Sequence, residues 1–517
     1  MQIQNSEAAN TERANSFPWL ELSPTVLHAR QTNGDIYRVT QQTRVVIGTE
    51  SLRPLAKRLA DGLALAAQLP ASLDVVLTEA VVPGDVVLRL ADVPTSDIPI
   101  PAKGVLELYR IDISSMISVT AKSLQAMALA LTTLHKAARV SYALTWAEVI
   151  DAPSQSERSV LIDVGRKHYS VGWMKDLLRE MAWNQLNTLY LHLTDNEGVR
   201  IKFPSHPDLS SPDAWTAAEL DEILQTANAY YIEVIPGIEP VGHMGYILSK
   251  KIQFQLKLDS GAMAPRALDF SIPAARTFVT ELVDDLLELF PSCKFVNLEA
   301  DEYFLDPVTI NNTSQLAKYA KDQSGNPSAG SQDGFRYFVN ELAERVQARG
   351  KTVRVWNDSV TQKNPIIPIS TTIDILCWSI WGSKRNEMNV DDLIKAGYNV
   401  LNAHGDFYFV IRSGWTNLID SKHSPYGLYN IWRLNHFMDE AGEKVTIVEP
   451  DNPKLKGGGI QIWADEAVHM TPEKVLADLK LWLLPLGQHS WGSPHAPARY
   501  DDLGAVARSV SSAPPEH

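Results

Sequence analysis

Between residues 158 and 495, short apolar runs alternate with longer segments in which apolar residues recur at spacings of three and four. Short, nearly continuous apolar runs are typical of strands covered on both faces, and the three-four spacing is typical of helices. The predicted strands are 160–164, 188–193, 232–238, 295–300, 353–357, 375–380, 400–403 and 460–463. The predicted helices are 171–183, 217–230, 274–289, 335–347 and 472–484. Thr216 and Glu219 have the spacing of a capping box, which supports the start of the second helix.

Eight strands that alternate with helices over about 340 residues predict a (β/α)8 TIM barrel. A doubly wound open sheet is the competing architecture. The polar residues of interest follow strands around the whole set and do not gather at a single switch point. The pattern therefore favours the barrel.

The preceding part of the chain, residues 18–150, has a different pattern. Strand-like runs at 44–48, 86–90 and 106–111 mix with helix-like stretches at 52–69 and 123–138. Small and polar residues at 151–158 mark a boundary with the barrel domain, which is assigned to 158–495. Residues 1–17 and 496–517 are expected to be polar tails. The predicted fold class is α/β, a TIM barrel preceded by a small α+β domain.

Composition removes several classes of function. Apolar residues make up 45% of the chain and charged residues 21%, and no apolar run approaches the roughly 20 residues needed to cross a bilayer. A net charge of −14 without a basic stripe argues against nucleic acid as a partner. Cys293 and Cys377 predict buried free thiols. Residues 1–16 lack the apolar region of a secretory signal, so we expect a soluble protein, either cytoplasmic or exported with its signal removed.

Two adjacent carboxylic acids, Asp301 and Glu302, follow the predicted strand 295–300. A strand directs consecutive side chains to opposite faces, so both acids can serve one site only where the strand stops and the backbone turns. Barrel enzymes place catalytic residues at such strand ends. An Asp-Glu pair alone is more often solvated surface, so the residues after the other strands decide its meaning.

Polar and aromatic residues follow the other predicted strands as well. Taken singly, each has a structural explanation, since strand-end tryptophans commonly pack and histidines beside strands are commonly hydrogen-bonded. Together they form an acidic site with several indoles and one arginine, which suits a sugar: aromatic faces cover the apolar side of a pyranose, and charged groups bind its hydroxyls. The residues are Asp163, Arg166, His192, Asp195, Glu239, His243, Trp356, Asp358, Trp378, Trp381, Asn402, Tyr408, Trp463 and Asp465.

Four segments resemble the successive motifs of glycoside hydrolase family 20, the β-N-acetylhexosaminidases. They are residues 163–166 (DVGR), 191–200 (LHLTDNEGVR), 234–243 (VIPGIEPVGH) and 300–302 (ADE). Residues 109–113 (YRIDI), followed by a helix that ends at 133–135 (TLH), resemble the small domain that precedes the barrel in that family. The resemblance extends from about residue 20 to 490 and keeps the motifs in order.

The resemblance implies substrate-assisted hydrolysis with retention, an exception to the usual pair of enzyme carboxylates. The 2-acetamido oxygen of the substrate attacks the anomeric carbon, so the protein supplies no nucleophile. Glu302 matches the general acid that protonates the leaving oxygen and later activates water. Asp301 matches the residue that orients the acetamide and stabilises the oxazolinium charge. Tyr408 matches the tyrosine that hydrogen-bonds the acetamido oxygen.

The resemblance also implies a set of substrate-binding residues. Arg166 matches the arginine that binds ring hydroxyls of the terminal sugar. Asp195 and His243 resemble a network that supports the acid. The walls of the acetamide pocket and the sugar floor would come from tryptophans, namely Trp356, Trp378 or Trp381, and Trp463. No metal or cofactor is expected, since no metal-ligand or nucleotide motif is present. The expected partner is an oligosaccharide or glycoconjugate with a terminal N-acetylhexosamine.

Four positions depart from the family pattern. Gly237 stands where the proline is usually followed by Glu, and Glu239 stands where Asp or Asn is more common. Val410 stands where many members carry an Asp, and Asp465 replaces the more usual Glu. We expect these changes to affect hydroxyl recognition and not the acid or its partner. A disaccharide-releasing enzyme, of the lacto-N-biosidase type in the same family, is therefore an alternative.

Two further questions stay open at the level of sequence. The polar stretch 306–334 is either a disordered insertion or a mobile rim that shapes the leaving-group subsite. A glycan-binding barrel without activity is the rival function, although a pure binder has no need of the general acid. The preference among GlcNAc, GalNAc and a disaccharide, the linkage and the oligomeric state are not specified.

Overall fold

The computed structural model describes residues 17–95, 98–304, 313–379, 385–413, 423–439 and 444–514. Contacts divide the chain into two compact units. One contains Met1–Ser156, Arg179–Leu186 and Lys480–His517, and the other contains Glu157–Leu178 and Asn187–Leu479. The chain thus passes from the first unit to the second within the small, polar stretch 151–158.

The first unit is built on a seven-stranded mixed sheet. In spatial order its strands are His28–Arg38, Ala143–Asp151, Tyr109–Ile113, Ile117–Ala121, Val86–Leu90, Arg44–Ile47 and Asp74–Leu77. Two helices, Arg53–Ala66 and Leu124–Val140, accompany the sheet. Ser123 caps the second helix, since its hydroxyl accepts a hydrogen bond from the Ala126 N–H at 3.0 Å. The predicted small α+β domain is confirmed.

The second unit is a closed barrel of eight parallel strands. In chain order they are Glu157–Asp163, Thr188–His192, Glu233–Gly237, Phe295–Asn297, Thr352–Trp356, Asp374–Cys377, Val400–Asn402 and Leu455–Trp463. Closure occurs because the last strand pairs in parallel with both the seventh and the first. The predicted TIM barrel is therefore confirmed, and the open sheet is wrong. The fourth strand ends at Asn297, three residues before its predicted end.

A buried ion pair and a layer of large side chains fill the barrel. Arg354, 1% exposed, donates to Glu157 at 2.8 Å and lies against Tyr190. Trp356 belongs to the apolar cluster nearer the carboxyl ends of the strands. Gly459 permits close strand packing, because a Cβ there would lie 1.9 Å from the Ser159 carbonyl oxygen. The interior is a packed core, as the side-chain layers of such barrels require.

Helices lie between most of the barrel strands; the bounds of four predicted helices lie within four residues of the observed ones, whereas the last helix extends to Trp491, seven residues beyond its predicted end. The larger ones are Val171–Trp183, Ala217–Ala229, Pro273–Leu289, Ser314–Ser324, Ser331–Gln347 and Pro472–Trp491. Shorter helices are Gly245–Lys250, Val390–Lys395, Pro425–Asn430 and Ala505–Ser509. The capping box of Thr216 and Glu219 is present. Among the described residues, none of the helices has both the length and the apolar character required to cross a bilayer.

The interpretation of 306–334 as a disordered insertion is wrong for residues 314–324 and 331–334, which are helical, and its alternative, a mobile rim of the leaving-group subsite, stays a prediction. Ser314–Ser324 is a helix that ends at Gly325 with φ +65°, and the next helix begins at Ser331. Leu316 and Ala320, four residues apart, are fully buried. The many small and polar residues obscured this short apolar face, which becomes evident only where it packs against the following helix. Residues 305–312 lie outside the described part of the chain.

The cysteines agree in part with expectation. Both are free; Cys293 is buried and Cys377 is half-buried. Burial raises the pKa of the Cys293 thiol, which is consistent with an unreactive side chain.

Candidate active site

The two adjacent acids lie in a turn that immediately follows the fourth barrel strand. Glu299, Ala300 and Glu302 have positive φ angles of 44°, 68° and 51°. This left-handed backbone replaces strand alternation, so that consecutive side chains can face one group. His243 Nε2 is 3.9 Å from Asp301 Oδ2 and 3.3 Å from Glu302 Oε2. The structure therefore brings together the predicted acid pair and the predicted histidine.

A chain of hydrogen bonds continues from Glu302 into the barrel. His243 Nδ1 is 3.3 Å from Asp195 Oδ1, and His192 Nε2 is 2.8 Å from Asp195 Oδ2. His192 Nδ1 is in turn 3.1 Å from Glu299 Oε1. The residues come from the ends of the second, third and fourth strands. Asp195 and His243 thus lie together as predicted, while His192 and Glu299 extend the network.

Neighbouring carboxyl groups favour the positively charged form of both histidines in this network. Burial lowers the pKa of His192, but Glu299 and Asp195 outweigh burial and raise it to about 10. Burial likewise lowers the pKa of His243, while hydrogen bonds to Asp195 and Glu302 raise it well above its usual value. Each imidazolium can therefore donate from both ring nitrogens to carboxyl oxygens.

Arg166 joins the ends of the first, second and last strands. Its guanidinium contacts Asp163 at 2.9 Å and Asp195 at 2.8 Å. Asp465 lies 3.8 Å away and Glu197 3.6 Å away. The side chain retains 14% exposure, so one edge can still meet a ligand. Sequence reasoning predicted Arg166 and Asp465 but assigned no role to Glu197, which lies within one of the quoted motifs.

Aromatic side chains form a continuous series beside the acids. Trp356 and Trp463 have ring centroids 6.1 Å apart, Trp463 and Tyr408 6.2 Å, and Tyr408 and Trp378 6.4 Å. Burial, together with the nearby carboxylates, raises the pKa of Tyr408 well above its usual value, so its hydroxyl stays protonated and can donate. Trp381 lies outside the described residues.

Asp358 fixes both the acid and one of the indoles. Its carboxylate accepts hydrogen bonds from the Glu302 backbone N–H at 2.8 Å and from Trp378 Nε1 at 2.9 Å. Ser359 donates to it at 3.1 Å. Asp358 was recognised as a strand-end residue, but its function as an anchor depends on the turn geometry and could not be predicted.

Glu239 interacts with Asp301, a contact that the expected role of position 239 in hydroxyl recognition did not include. It is 2% exposed, and burial followed by the charges of Asp301 and Glu299 raises its pKa well above the usual range. Glu239 Oε2 and Asp301 Oδ1 are buried and meet no donor among the described residues. The raised pKa favours a protonated Glu239, whose hydroxyl can donate to Asp301.

The histidines and carboxylates also form two clusters with the composition of metal ligands. One contains His192, Glu239 and Glu299, the other Glu239, His243 and Asp301, each with ligand atoms within 4.8 Å. A metal needs an imidazole lone pair, whereas each histidine lies between two carboxyl groups that favour its protonated form. These clusters therefore fit a proton network better than a cation site.

Three comparisons place the chain among known proteins. The family model for the catalytic domain of glycosyl hydrolase family 20 matches residues 156–476. The lacto-N-biosidase of Bifidobacterium bifidum is 28% identical over 362 residues, 69% of this chain and 30% of that protein. The β-hexosaminidase subunit A2 of Dictyostelium discoideum is 27% identical over 300 residues, 56% of this chain and 51% of that protein.

This chain thus spans about a third to a half of the length of these two relatives. Among solved structures, the N-acetyl-β-hexosaminidase of Streptomyces plicatus in complex with thio-NAglucal superposes with a TM-score of 0.72 at 20% identity, covering 96% of this chain and 97% of that one. Such a low identity supports the fold alone, whereas the family model matches more than half of the sequence. The chain belongs to glycosyl hydrolase family 20.

Proposed function

We propose that this protein removes a terminal β-linked N-acetylhexosamine from glycans, with retention, by substrate-assisted catalysis. The observation that carries the proposal is the common orientation of Asp301 and Glu302 toward His243, at 3.9 and 3.3 Å, next to the series of indoles. Two acids that face one imidazolium can divide two tasks between them. One transfers a proton while the other stays ionised.

In the first step the acetamido oxygen of the substrate attacks the anomeric carbon and the glycosidic bond breaks. Glu302 gives its proton to the leaving oxygen, and an oxazolinium ring forms on the sugar. In the second step water attacks the anomeric carbon, gives a proton to Glu302 and reopens the ring. Glu302 is suited to this role because Asp358 fixes its backbone and His243 contacts its carboxyl oxygen.

Asp301 and Tyr408 act on the acetamido group. The Asp301 carboxylate accepts the acetamide N–H and stabilises the positive charge that develops on the ring, and the Tyr408 hydroxyl donates to the acetamido oxygen. A neutral Glu239 beside Asp301 preserves that division of charge. The groups needed for the oxazolinium intermediate are therefore all present.

The sugar itself is bound by the remaining residues. Arg166 and Asp465 bind ring hydroxyls, and Trp463 forms the floor beneath the pyranose. The Arg166 guanidinium lies 5.5 Å from the centre of the Trp463 ring, so the polar and apolar surfaces for one sugar are adjacent. Trp356 and Trp378 form walls of the acetamide pocket.

The test uses an aryl N-acetyl-β-glucosaminide with wild-type protein and the Glu302→Gln variant. We expect chromophore release by the wild type, loss of release in the variant, and a β-anomer as the first product in proton NMR. Glu281→Gln serves as a matched control, because Glu281 is a half-exposed surface carboxylate paired with His206. Binding of the sugar without release would favour the inactive glycan-binding barrel, and an α-anomer would contradict retention.

A second candidate function is release of a disaccharide by the same chemistry. Val410 is buried and supplies no carboxylate, and Asp465 reaches Arg166 only at 3.8 Å, so the terminal subsite has fewer groups to close around one sugar. A lacto-N-biosidase is also among the relatives. Mass spectrometry on defined oligosaccharides distinguishes the two, since one activity yields monosaccharides and the other yields disaccharides.

A further inference from the structure

The space next to Gly237 is occupied by the side chain of Glu299, which lies close in sequence to the acid pair. Gly237 ends the third barrel strand and pairs with His192 on one side and Asn297 on the other. A Cβ on Gly237 would lie 2.3 Å from Glu299 Oε1. A side chain at position 237 therefore requires the Glu299 carboxylate to move from its present position. The family pattern places Glu after the proline at this point, and this chain places Gly there.

Glu299 uses both carboxylate oxygens within this space. Oε1 is 3.1 Å from His192 Nδ1, and Oε2 accepts a hydrogen bond from Trp356 Nε1. The Trp356 backbone N–H also donates to the Glu299 carbonyl oxygen at 2.9 Å. The residue is fully buried. It therefore links the second, fourth and fifth strands through charge-assisted hydrogen bonds, which are stronger than neutral ones.

The backbone angle at position 299 favours glycine over glutamate. Its φ of +44° lies in the left-handed region, where a Cβ crowds the following carbonyl. Glycine would adopt this angle freely, whereas glutamate is strained there. A strained residue whose side chain makes two buried hydrogen bonds beside reacting groups points to a role for that side chain.

We propose that Glu299 is a positioning residue that takes over, from the fourth strand, the place of a carboxylate that would otherwise project from position 237. It holds the His192 imidazolium in hydrogen-bond contact with Asp195, and it holds the indole of Trp356 in the wall of the sugar site. Through Asp195 and His243 the same chain of contacts reaches Glu302. The proposal rests on the proposed hydrolase function for its kinetic consequences but not for its geometry.

Four variants test the proposal: Glu299→Gln, Glu299→Gly, Gly237→Glu, and the double variant G237E/E299G. Gln keeps the size but offers one acceptor oxygen to two donors, so we expect kcat/KM to fall about 10- to 100-fold. Glu299→Gly should fall further, and Gly237→Glu should be inactive or misfolded because two side chains meet in one space. The double variant should recover to within about tenfold of wild type.

A second measurement is independent of turnover. In proteins with ¹⁵N-labelled tryptophan, the Trp356 indole N–H, assigned with Trp356→Phe, should shift in Glu299→Gln and return toward its wild-type position in the double variant. Glu281→Gln should leave both the signal and kcat/KM unchanged. Wild-type kcat/KM in Glu299→Gln, or a double variant no better than the worse single variant, overturns the proposal. If the wild type releases neither an N-acetylhexosamine nor a disaccharide from its test substrates, the hydrolase function fails, and the indole signal alone decides the role of Glu299.

Discussion

Replacing Asp301 with Asn removes one negative charge from the site while keeping the shape of the side chain. The distance of 3.9 Å between Asp301 Oδ2 and His243 Nε2 indicates how closely a cation approaches this carboxylate. At an effective dielectric constant of about 20, a full charge at that distance is stabilised by about 4 kcal/mol, or roughly three powers of ten in rate. An oxazolinium ring is partly charged in the transition state, and Asn still accepts the acetamide N–H. We therefore expect kcat to fall about 100- to 1000-fold.

The same substitution should leave the fold nearly unchanged. Burial and the neighbouring carboxylates Asp358 and Glu302 raise the pKa of Asp301, so a neutral side chain relieves repulsion and offsets the lost attraction to His243. We expect the thermal midpoint to move by no more than about 2 °C. The assay measures kcat and KM on an aryl N-acetyl-β-glucosaminide beside a thermal melt. A kcat within tenfold of wild type would refute the charge argument, and a large drop in midpoint would indicate a structural carboxylate instead.

Three further outcomes are expected. Asp301 must be ionised to act and its pKa is raised, so kcat/KM should be lost as pH falls through a value above the usual Asp pKa of about 4. The His243→Gln variant lacks a cation that lowers this pKa, so the acid limb of its pH profile should lie at higher pH. An acid limb near 4 in both proteins would contradict the assignment. Arg354→Ala should lower the free energy of unfolding in urea by about 3–5 kcal/mol, because it removes the ion-pair partner of the buried Glu157. Arg345→Ala, at a more exposed ion pair, should lower it by less than about 1 kcal/mol. Equal losses would show that burial does not determine the difference. A thiazoline mimic of the cyclised substrate should bind at least about 100-fold more tightly than N-acetylglucosamine in calorimetry, and equal affinities would contradict participation of the acetamido group.

The fold could be predicted where apolar periodicity was long and regular. Eight short, mostly apolar runs predicted the barrel, because strands that are covered on both faces are mostly apolar. The apolar pattern did not indicate the helix 314–324, where only a few apolar residues face the next helix among many small and polar ones. The predicted fourth strand also extends beyond its observed end at Asn297, because an apolar run does not indicate a change in backbone angle.

Residue types and the order of the motifs were sufficient to predict part of the site. Asp301, Glu302 and His243 were identified from their motifs, and the structure places them within contact distance. Glu299 was missed because its function depends on a positive φ angle and on the space beside Gly237, neither of which has a local signal. Partners of this kind become visible only when the ends of neighbouring strands are brought side by side.

The distribution of charge in the site explains why an acid pair can assist a reaction with a cationic intermediate. Asp195 is held ionised, since His192, His243 and Arg166 outweigh burial and keep its pKa well below the usual range. These cations are therefore already neutralised by permanent partners and oppose a further positive charge only weakly. Asp301 has no such permanent cationic partner at hydrogen-bond distance among the described residues, the nearest being His243 at 3.9 Å. In the proposed mechanism, the developing oxazolinium charge lies beside the Asp301 carboxylate, which is not already neutralised by such a partner. Asp301 therefore stabilises the transition state more than the neutral substrate.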